Sequence, residues 1–494
     1  MTSRRGDRQP TVWFVTPEAV PFASTGGLGE VAGSLPRALA GLGAKMHLVM
    51  PLYGQVDRAA HGIEPSGPVL PVPVGSKTVE ARVYQGRLGD CPVHFIAQEG
   101  YFDRPGLYGT PQGDYPDNAE RFVFFCRAAL ALAQVQQPAV EVVHCHDWQS
   151  ALIPVYLQAG LPRFTASARP ATLLTVHNLA YQGIFPRRRF ALTGLPDAYD
   201  HPRSLEYWGK LSFLKAGLLA ADALTTVSPG YAAEVLQPAH GMGLEGVLQK
   251  RASRLHGILN GADYQRWSPQ DDPHLPANYG PGDLGGKQLC RQELLRRFGL
   301  EPADGQTTVL GYLGRLAEQK GMDLLLDVLP DILMDPVRLV ILGQGDASIE
   351  SAVKRAAREH PGRVGVELAY DDGLAHLVQA GCDLLLMPSR FEPCGLNQMH
   401  AMRYGTIVVA HATGGLADTI ETFDPKSGRG TGFLFKPPQP EPLLHALRQA
   451  LWTRAHPELW RRLVANAMAQ DFSWNRSAAA YLELYQDLAP GSRA

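Results

Sequence analysis

This 494-residue chain has no long apolar run, no cysteine framework and no surplus of charge, and each absence removes a class of protein. No stretch approaches the ~20 consecutive apolar residues of a membrane-spanning helix. Six cysteines (Cys91, Cys126, Cys145, Cys290, Cys382, Cys394) are scattered without a C-x-x-C pair, so they read as free thiols of a reducing compartment. With 46 Lys+Arg against 48 Asp+Glu the formal net charge is −2, which points to neither nucleic acid nor a membrane as partner. Arg4-Arg5 resembles the start of a twin-arginine signal. The apolar stretch behind it soon meets Pro17, Glu18 and Pro21, so Met1–Pro10 is expected to be a frayed tail. A cytoplasmic protein is the plain reading.

What is present is a repeated strand–loop–helix grammar. The length exceeds what one hydrophobic core usually serves, so two domains are expected. Thr11–Thr16 reads as a buried strand. It is followed by the glycine loop Ser24–Glu30 and a helical pattern at Val31, Leu35, Leu39 and Leu42. Pro36 lies inside that pattern and is expected to kink or restart the helix. Lys45–Met50 supplies the next strand. Val142–Cys145 and Thr172–Val176 are further strands, each running into a polar loop. The order begins again with strands over Thr308–Leu313, Val337–Leu342, Leu384–Met387 and Ile407–Ala410. This predicts an α/β protein of two Rossmann-like, doubly wound domains facing each other across a deep cleft. The boundaries are placed at 1–258, completed by a C-terminal helix within 471–494, and at 259–470. Asp263–Gly286, rich in Pro, Gly and Asp, reads as the linker.

In open α/β sheets ligands bind beyond the carboxyl ends of the strands, and the polar motifs all fall there. Gly26 and Gly27 precede a helix and offer backbone N–H groups to phosphate, although such a loop also serves simply to turn the chain. Arg315 and Lys320 share one strand-to-helix loop, a pattern that suits a pyrophosphate better than random surface charge does. Glu392 follows a buried strand. It can hydrogen-bond sugar hydroxyls or stabilise positive charge at an anomeric carbon; otherwise it pairs with Arg390. Cys394 lacks a neighbouring base and reads as packing. His144 and His146 alternate onto one strand face, but no second cluster completes a metal set, so no metal is expected. Asp147 and His177 lie at strand ends as a potential electrostatic and hydrogen-bonding pair, with Asn178 beside them.

Taken together these segments resemble the glycogen and starch synthase family. The matching stretches include Thr25–Leu28, Gly113–Asn118, His144–Trp148, Thr175–Gly183 (TVHNLAYQG), Ser212–Gly217 and Leu259–Gly261. They continue with Gly314–Leu316, Gln319–Gly321, Pro388–Leu396 (PSRFEPCGL), Thr413–Thr419 and Asp471–Trp474. The resemblance runs through nearly the whole chain in order. It implies the GT-B architecture and a retaining transfer of glucose from ADP-glucose, or UDP-glucose, to the non-reducing 4-hydroxyl of an α-1,4-glucan primer, with no cofactor and no metal.

By the same resemblance Arg315 and Lys320 hold the donor phosphates. Glu392, Cys394, Gly395 and Leu396 orient the donor glucose, and Asp147 and His177 flank the anomeric centre. Ser24, Gly26, Gly27, Asn260, Tyr370 and Thr413 are implied as further donor contacts, and Tyr115 and Asn178 as acceptor-side residues. Related transferases carry a second Glu eight positions after the first; here that place is His400, which favours the synthase family. The family usually has Lys directly before Thr-Gly-Gly-Leu, and this chain has Ser24. The rival readings are a glucan phosphorylase, which needs a pyridoxal-phosphate lysine in the second half, and a non-catalytic glucan-binding protein.

Overall fold

A computed structural model describes residues 9–110, 112–136, 138–165, 169–302, 304–369 and 371–489. Most of the expected frayed tail, and Tyr370, therefore lie outside the described residues. The chain divides into two compact units, Met1–Gly261 with Trp474–Ala494, and Ala262–Ser473. Both divisions fall three residues beyond the sequence-based boundaries at 258 and 471.

The first unit is built on a ten-stranded sheet. Its strands run in the order Leu255–Gly257, Ala223–Thr226, Ala171–Val176, Val142–His146, Thr11–Val15, Lys45–Pro51 and Cys91–Ala97, every pairing parallel. Lys77–Leu88 and the short strands Glu64–Pro65 and Leu70–Val74 extend the far edge antiparallel. Thr11–Val15 and Val142–His146 are buried along their whole length, which is why they read as continuous apolar runs and not as alternating ones. The helix Gly27–Gly41 passes unbroken through Pro36, contrary to the expected restart. Pro36 is buried, so packing of its ring offsets the hydrogen bond that proline cannot donate.

The second unit carries a six-stranded sheet, all parallel. Its order is Val364–Glu367, Val337–Leu342, Thr308–Leu313, Leu384–Met387, Ile407–His411 and Gly432–Phe435. Counted along the chain this is 3-2-1-4-5-6, and the parallel strands of the first unit follow the same rule. Each unit thus has one switch point where the winding reverses, and ligands of doubly wound sheets bind there. Asp263–Gly286 is no linker. Trp267 lies between the rings of His376 and His400, at centroid distances of 3.8 and 4.2 Å. Asp272 is buried against His376 and Tyr404. Prolines and glycines there shape a packed segment of the second core.

The last helix, Trp474–Leu488, belongs to the first unit. The Tyr485 hydroxyl is hydrogen-bonded to His144 Nδ1 at 2.7 Å, and His144 Nε2 meets the Thr175 hydroxyl at 2.6 Å.

Candidate active site

In the first unit the switch point lies between Thr11–Val15 and Val142–His146. Glu18 lies three residues beyond the first strand and Asp147 directly after the second, so two carboxyl groups are buried just past neighbouring strand ends. Glu18 accepts hydrogen bonds from the Thr25 amide (2.5 Å) and the Tyr108 hydroxyl (2.9 Å). Burial nevertheless raises its pKa. Asp147 has a left-handed backbone (φ 53°). Its Oδ1 accepts the main-chain N–H of His177 at 2.7 Å, which ties two adjacent strand ends together. Burial pushes the Asp147 carboxyl up to about 7, with the Glu18 charge adding to the shift. Burial lowers His177 to about 3, so its imidazole is neutral at working pH.

His177 Nε2 lies 2.9 Å from His146 Nδ1. That contact leaves His177 Nδ1 as the ring nitrogen to face a ligand. His144 and His146 do share a strand face, their rings 4.0 Å apart. His144 is bonded to Tyr485 and Thr175, and His146 Nδ1 meets His177. Among the described residues one group of metal-capable side chains, His274, Asp372 and His376, lies elsewhere in the second unit. There Asp372 is paired with Arg266 and His376 with Asp272.

The glycine loop turns on Ser24. Its hydroxyl stands 3.3 Å from the Gly26 amide and 3.2 Å from the Gly26 carbonyl, and it also reaches Glu18. A Cβ on Gly29 would meet Ser24 Oγ at 2.1 Å, so glycine is required beneath the serine. Gly26 and Gly27 are exposed at the start of the helix. Asn178 Oδ1 caps the Ala180 amide at 3.0 Å. Tyr115 lies under the guanidinium groups of Arg104 and Arg121, so its ring already has a structural partner. Asn260 is buried, and its Oδ1 has no hydrogen-bond partner.

In the second unit the switch point lies between Thr308–Leu313 and Leu384–Met387. Their carboxyl ends carry the loop with Arg315 and Lys320 and the loop Pro388–Leu396. Gln319 and Arg390 lace the two loops: Gln319 Nε2 donates to the Phe391 carbonyl (3.1 Å), and the Arg390 amide to the Gln319 carbonyl (2.8 Å). Gly321 is left-handed (φ 68°), and a Cβ there would strike the Pro388 carbonyl oxygen at 2.1 Å. The result is a 2.5 Å ion pair between Lys320 Nζ and Glu392 Oε2, which also accepts the Ser389 hydroxyl at 3.0 Å.

Glu392 is therefore paired with Lys320; Arg390 pairs with Asp323 instead. Arg315 is exposed on the same loop. Cys394 is buried and burial of its carbonyl side is tight: a Cβ on Gly415 would lie 2.2 Å from the Cys394 oxygen. Gly395 is left-handed (φ 73°) and leads through Leu396 into the helix Asn397–Arg403. Thr413 is buried ahead of the helix Gly414–Thr419, whose Gly415 amide donates to the Glu392 carbonyl. His400 is buried, its ring stacked on Trp267.

Residues 11–250 match the family model for the starch synthase catalytic domain, and residues 298–469 match that for glycosyl transferases group 1. The chain belongs to the glycogen and starch synthase family. It is 49% identical to a glycogen synthase of Anaeromyxobacter dehalogenans, across 97% of this chain and 99% of that protein. It is 46% identical to glycogen synthase 2 of Nitrosococcus oceani, covering 97% of each. The catalytic domain of starch synthase IV from Arabidopsis thaliana, solved with ADP and acarbose, superposes with a TM-score of 0.89 at 30% identity, covering 97% of this chain and 99% of that one. A sucrose-phosphate synthase of Thermosynechococcus elongatus shares the fold alone, with a TM-score of 0.62 at 18% identity. The two Rossmann-like units are thus of the GT-B class, and the protein is a glucosyltransferase. Among the described residues no helix is long and apolar enough to cross a membrane.

Sequence reasoning passed over Glu18, treating it only as an interruption of an apolar stretch. The signal was its position: it follows one switch-point strand as Asp147 follows the other.

Proposed function

We propose that this protein elongates an α-1,4-glucan, transferring glucose from ADP-glucose to a non-reducing 4-hydroxyl with retention of configuration, in the cytoplasm. The observation that carries the reading is the switch point of the second unit, where Lys320 is ion-paired with Glu392 and Arg315 is exposed on the Lys320 loop. A diphosphate leaving group needs cations, and Arg315 and Lys320 supply two donors of positive charge on one rigid loop. A sugar ring needs acceptors for its hydroxyls, and the Glu392 carboxylate offers them once a donor competes for Lys320. The amides near Cys394, Gly395 and Leu396, with Thr413 close by in the chain's next helix start, are the remaining donor contacts of this reading.

The first unit carries a second set of groups suited to a sugar. The neutral His177 imidazole can hydrogen-bond a sugar hydroxyl, and Asp147 holds the His177 main chain in place. In the reaction the bond from the anomeric carbon to the phosphate oxygen breaks on the face where the acceptor oxygen attaches. The leaving phosphate takes the acceptor proton, so no covalent intermediate of the two-carboxylate glycosidase kind is needed. Neither a metal nor a cofactor is required by this scheme. Gly26, Gly27, Ser24 and Asn260 are proposed as further donor contacts, and Tyr115 and Asn178 as acceptor-side ones.

The test is incorporation of radiolabelled glucose into a glycogen primer from ADP-glucose and, in parallel, from UDP-glucose. Transfer from ADP-glucose with an alkali-resistant, α-amylase-sensitive product is expected. A preference for UDP-glucose would overturn the donor assignment, and no incorporation from either would overturn the reading.

A further inference from the structure

Outside the switch points, the first unit's least expected backbone is at Trp208. Only three non-glycine residues are left-handed among those described: Asp147, Trp208 and Met242. Asp147 belongs to the candidate active site. Trp208 (φ 50°) and Gly209 (φ 76°) form the two-residue turn between Glu206–Tyr207 and Lys210–Ser212. Positive φ at both central positions defines a turn that favours Asn-Gly or Asp-Gly, and a bulky residue at the first place is a steric outlier. Trp208 is also 86% exposed, the same as the most exposed of the other large apolar side chains. Apart from the hydrogen bond its indole N–H gives the Tyr207 hydroxyl, a strained, solvated ring adds little to folding, and such outliers cluster where a ligand is held.

The turn stands on a rigid base that begins at the candidate site. The loop leaving His177 becomes the strand Ile184–Pro186, which pairs antiparallel with Lys210–Ser212. Gly183 in that loop lies against Trp148, the residue after Asp147; a Cβ there would come within 2.6 Å of the Trp148 ring. Buried Lys215 spends its ammonium on the chain entering the hairpin, donating to the carbonyls of Pro202, Ser204 and Glu206. Gly209 donates its amide to Glu206 Oε1 at 2.8 Å. A ring presented on so firmly held a turn loses little freedom when something stacks on it.

We propose that Trp208 is a stacking platform for a glucosyl unit of the α-glucan substrate, a binding residue outside the reacting centre. The face of a pyranose carries aligned C–H bonds that pack on an aromatic ring, while its hydroxyls stay in water. That matches a ring wet on its rim and apolar on its face. A protein partner fits less well, because stable interfaces bury about 800 Å² per side, and one indole on a turn flanked by Glu206 and Lys210 offers no such apolar field. This inference rests on the glucan-elongation reading above.

The experiment compares wild type with W208A, W208F and W208N, using glycogen and maltoheptaose as ligands. Affinity electrophoresis through glycogen needs no turnover and reads binding directly; ADP-glucose kinetics read the rest. W208A and W208N are expected to weaken glucan binding and raise the glucan KM about three- to tenfold, with KM for ADP-glucose and kcat at saturating glucan unchanged. W208F should keep most of the affinity. W208N should also raise Tm, since Asn suits the left-handed turn, so its loss of affinity cannot come from unfolding. Wild-type glucan affinity and KM in both W208A and W208N would overturn the proposal. So would a change in sedimentation without a change in glucan binding, which would mark a contact between copies. Absence of transfer in the wild type would instead sink the elongation reading, and glucan retention on the gel would still decide the role of Trp208.

Discussion

Lys320 Nζ lies 2.5 Å from Glu392 Oε2, joining two loops that leave the strands on either side of the second unit's switch point. The pair keeps the site assembled before a donor arrives: each side chain is prepositioned by the other. On the proposed reading, a nucleotide diphosphate takes Lys320 and a sugar hydroxyl takes Glu392, in exchange for the bond the two side chains lose.

Lys320→Ala and Arg315→Ala are each expected to lower kcat about 10²–10³-fold, because negative charge on the leaving diphosphate grows as the glycosidic bond breaks. Far-UV spectra should be unchanged in both. Near-normal turnover in either folded variant would remove these cations from the reaction.

Asp147 gives a pH-dependent expectation. Its carboxyl titrates near pH 7 in the folded protein and near 3.9 in the unfolded chain. The folded state therefore binds the extra proton between those values, and stability falls as pH rises from about 4 to about 7. Roughly three units correspond to an upper bound of about 4 kcal/mol. Asp147→Asn should abolish this slope and stabilise the protein at pH 8 but hardly at pH 4, while transfer is lost. Urea unfolding at both values tests it; equal stability changes at the two would refute the buried carboxyl with a raised pKa.

Ser24→Lys places an ammonium where the family usually has one. A lower KM for ADP-glucose, several-fold at low salt and less at moderate salt, is expected, with kcat little changed. The hydroxyl it replaces now turns the loop onto Gly26 and Glu18. An unchanged or higher KM would show that Glu18 captures the new charge, or that the loop is shaped for serine.

Thorough chelation should leave transfer intact. Both ring nitrogens of His144 are bonded, to Tyr485 and Thr175, His146 Nδ1 meets His177, and Asp372 in the other candidate group is held by Arg266. Activity lost to the chelator and restored by one specific divalent ion would contradict this.

The strand ends were legible because buried parallel strands announce themselves as short apolar runs, such as Thr308–Leu313 and Leu384–Met387, and the polar loops after them fall at ligand-binding edges. Partners across the sheet were not legible. That Glu392 meets Lys320 and not its neighbour Arg390 depends on which strands lie side by side, a fact no local spacing carries. Asp263–Gly286 misled for a related reason: turn-forming residues look alike whether they span open solvent or wrap a core, and only the stacking of Trp267 between two histidines distinguishes them. Glu18 was missed because a carboxylate between prolines resembles an ordinary turn, and its burial by Thr25 and Tyr108 comes from residues up to 90 positions away.

The bond between Tyr485 and His144 spans 341 residues of sequence. During synthesis, the first unit must wait for the whole second unit to be translated before the helix Trp474–Leu488 can cover its flank, whereas the second unit is one uninterrupted segment and can fold as soon as it emerges. The ribosome therefore delivers the six-stranded sheet as an insertion into a half-finished first unit. A released chain truncated before residue 474 would carry a protease-resistant second unit and a first unit still open to cleavage around the helix Gly27–Gly41, against which the final helix packs.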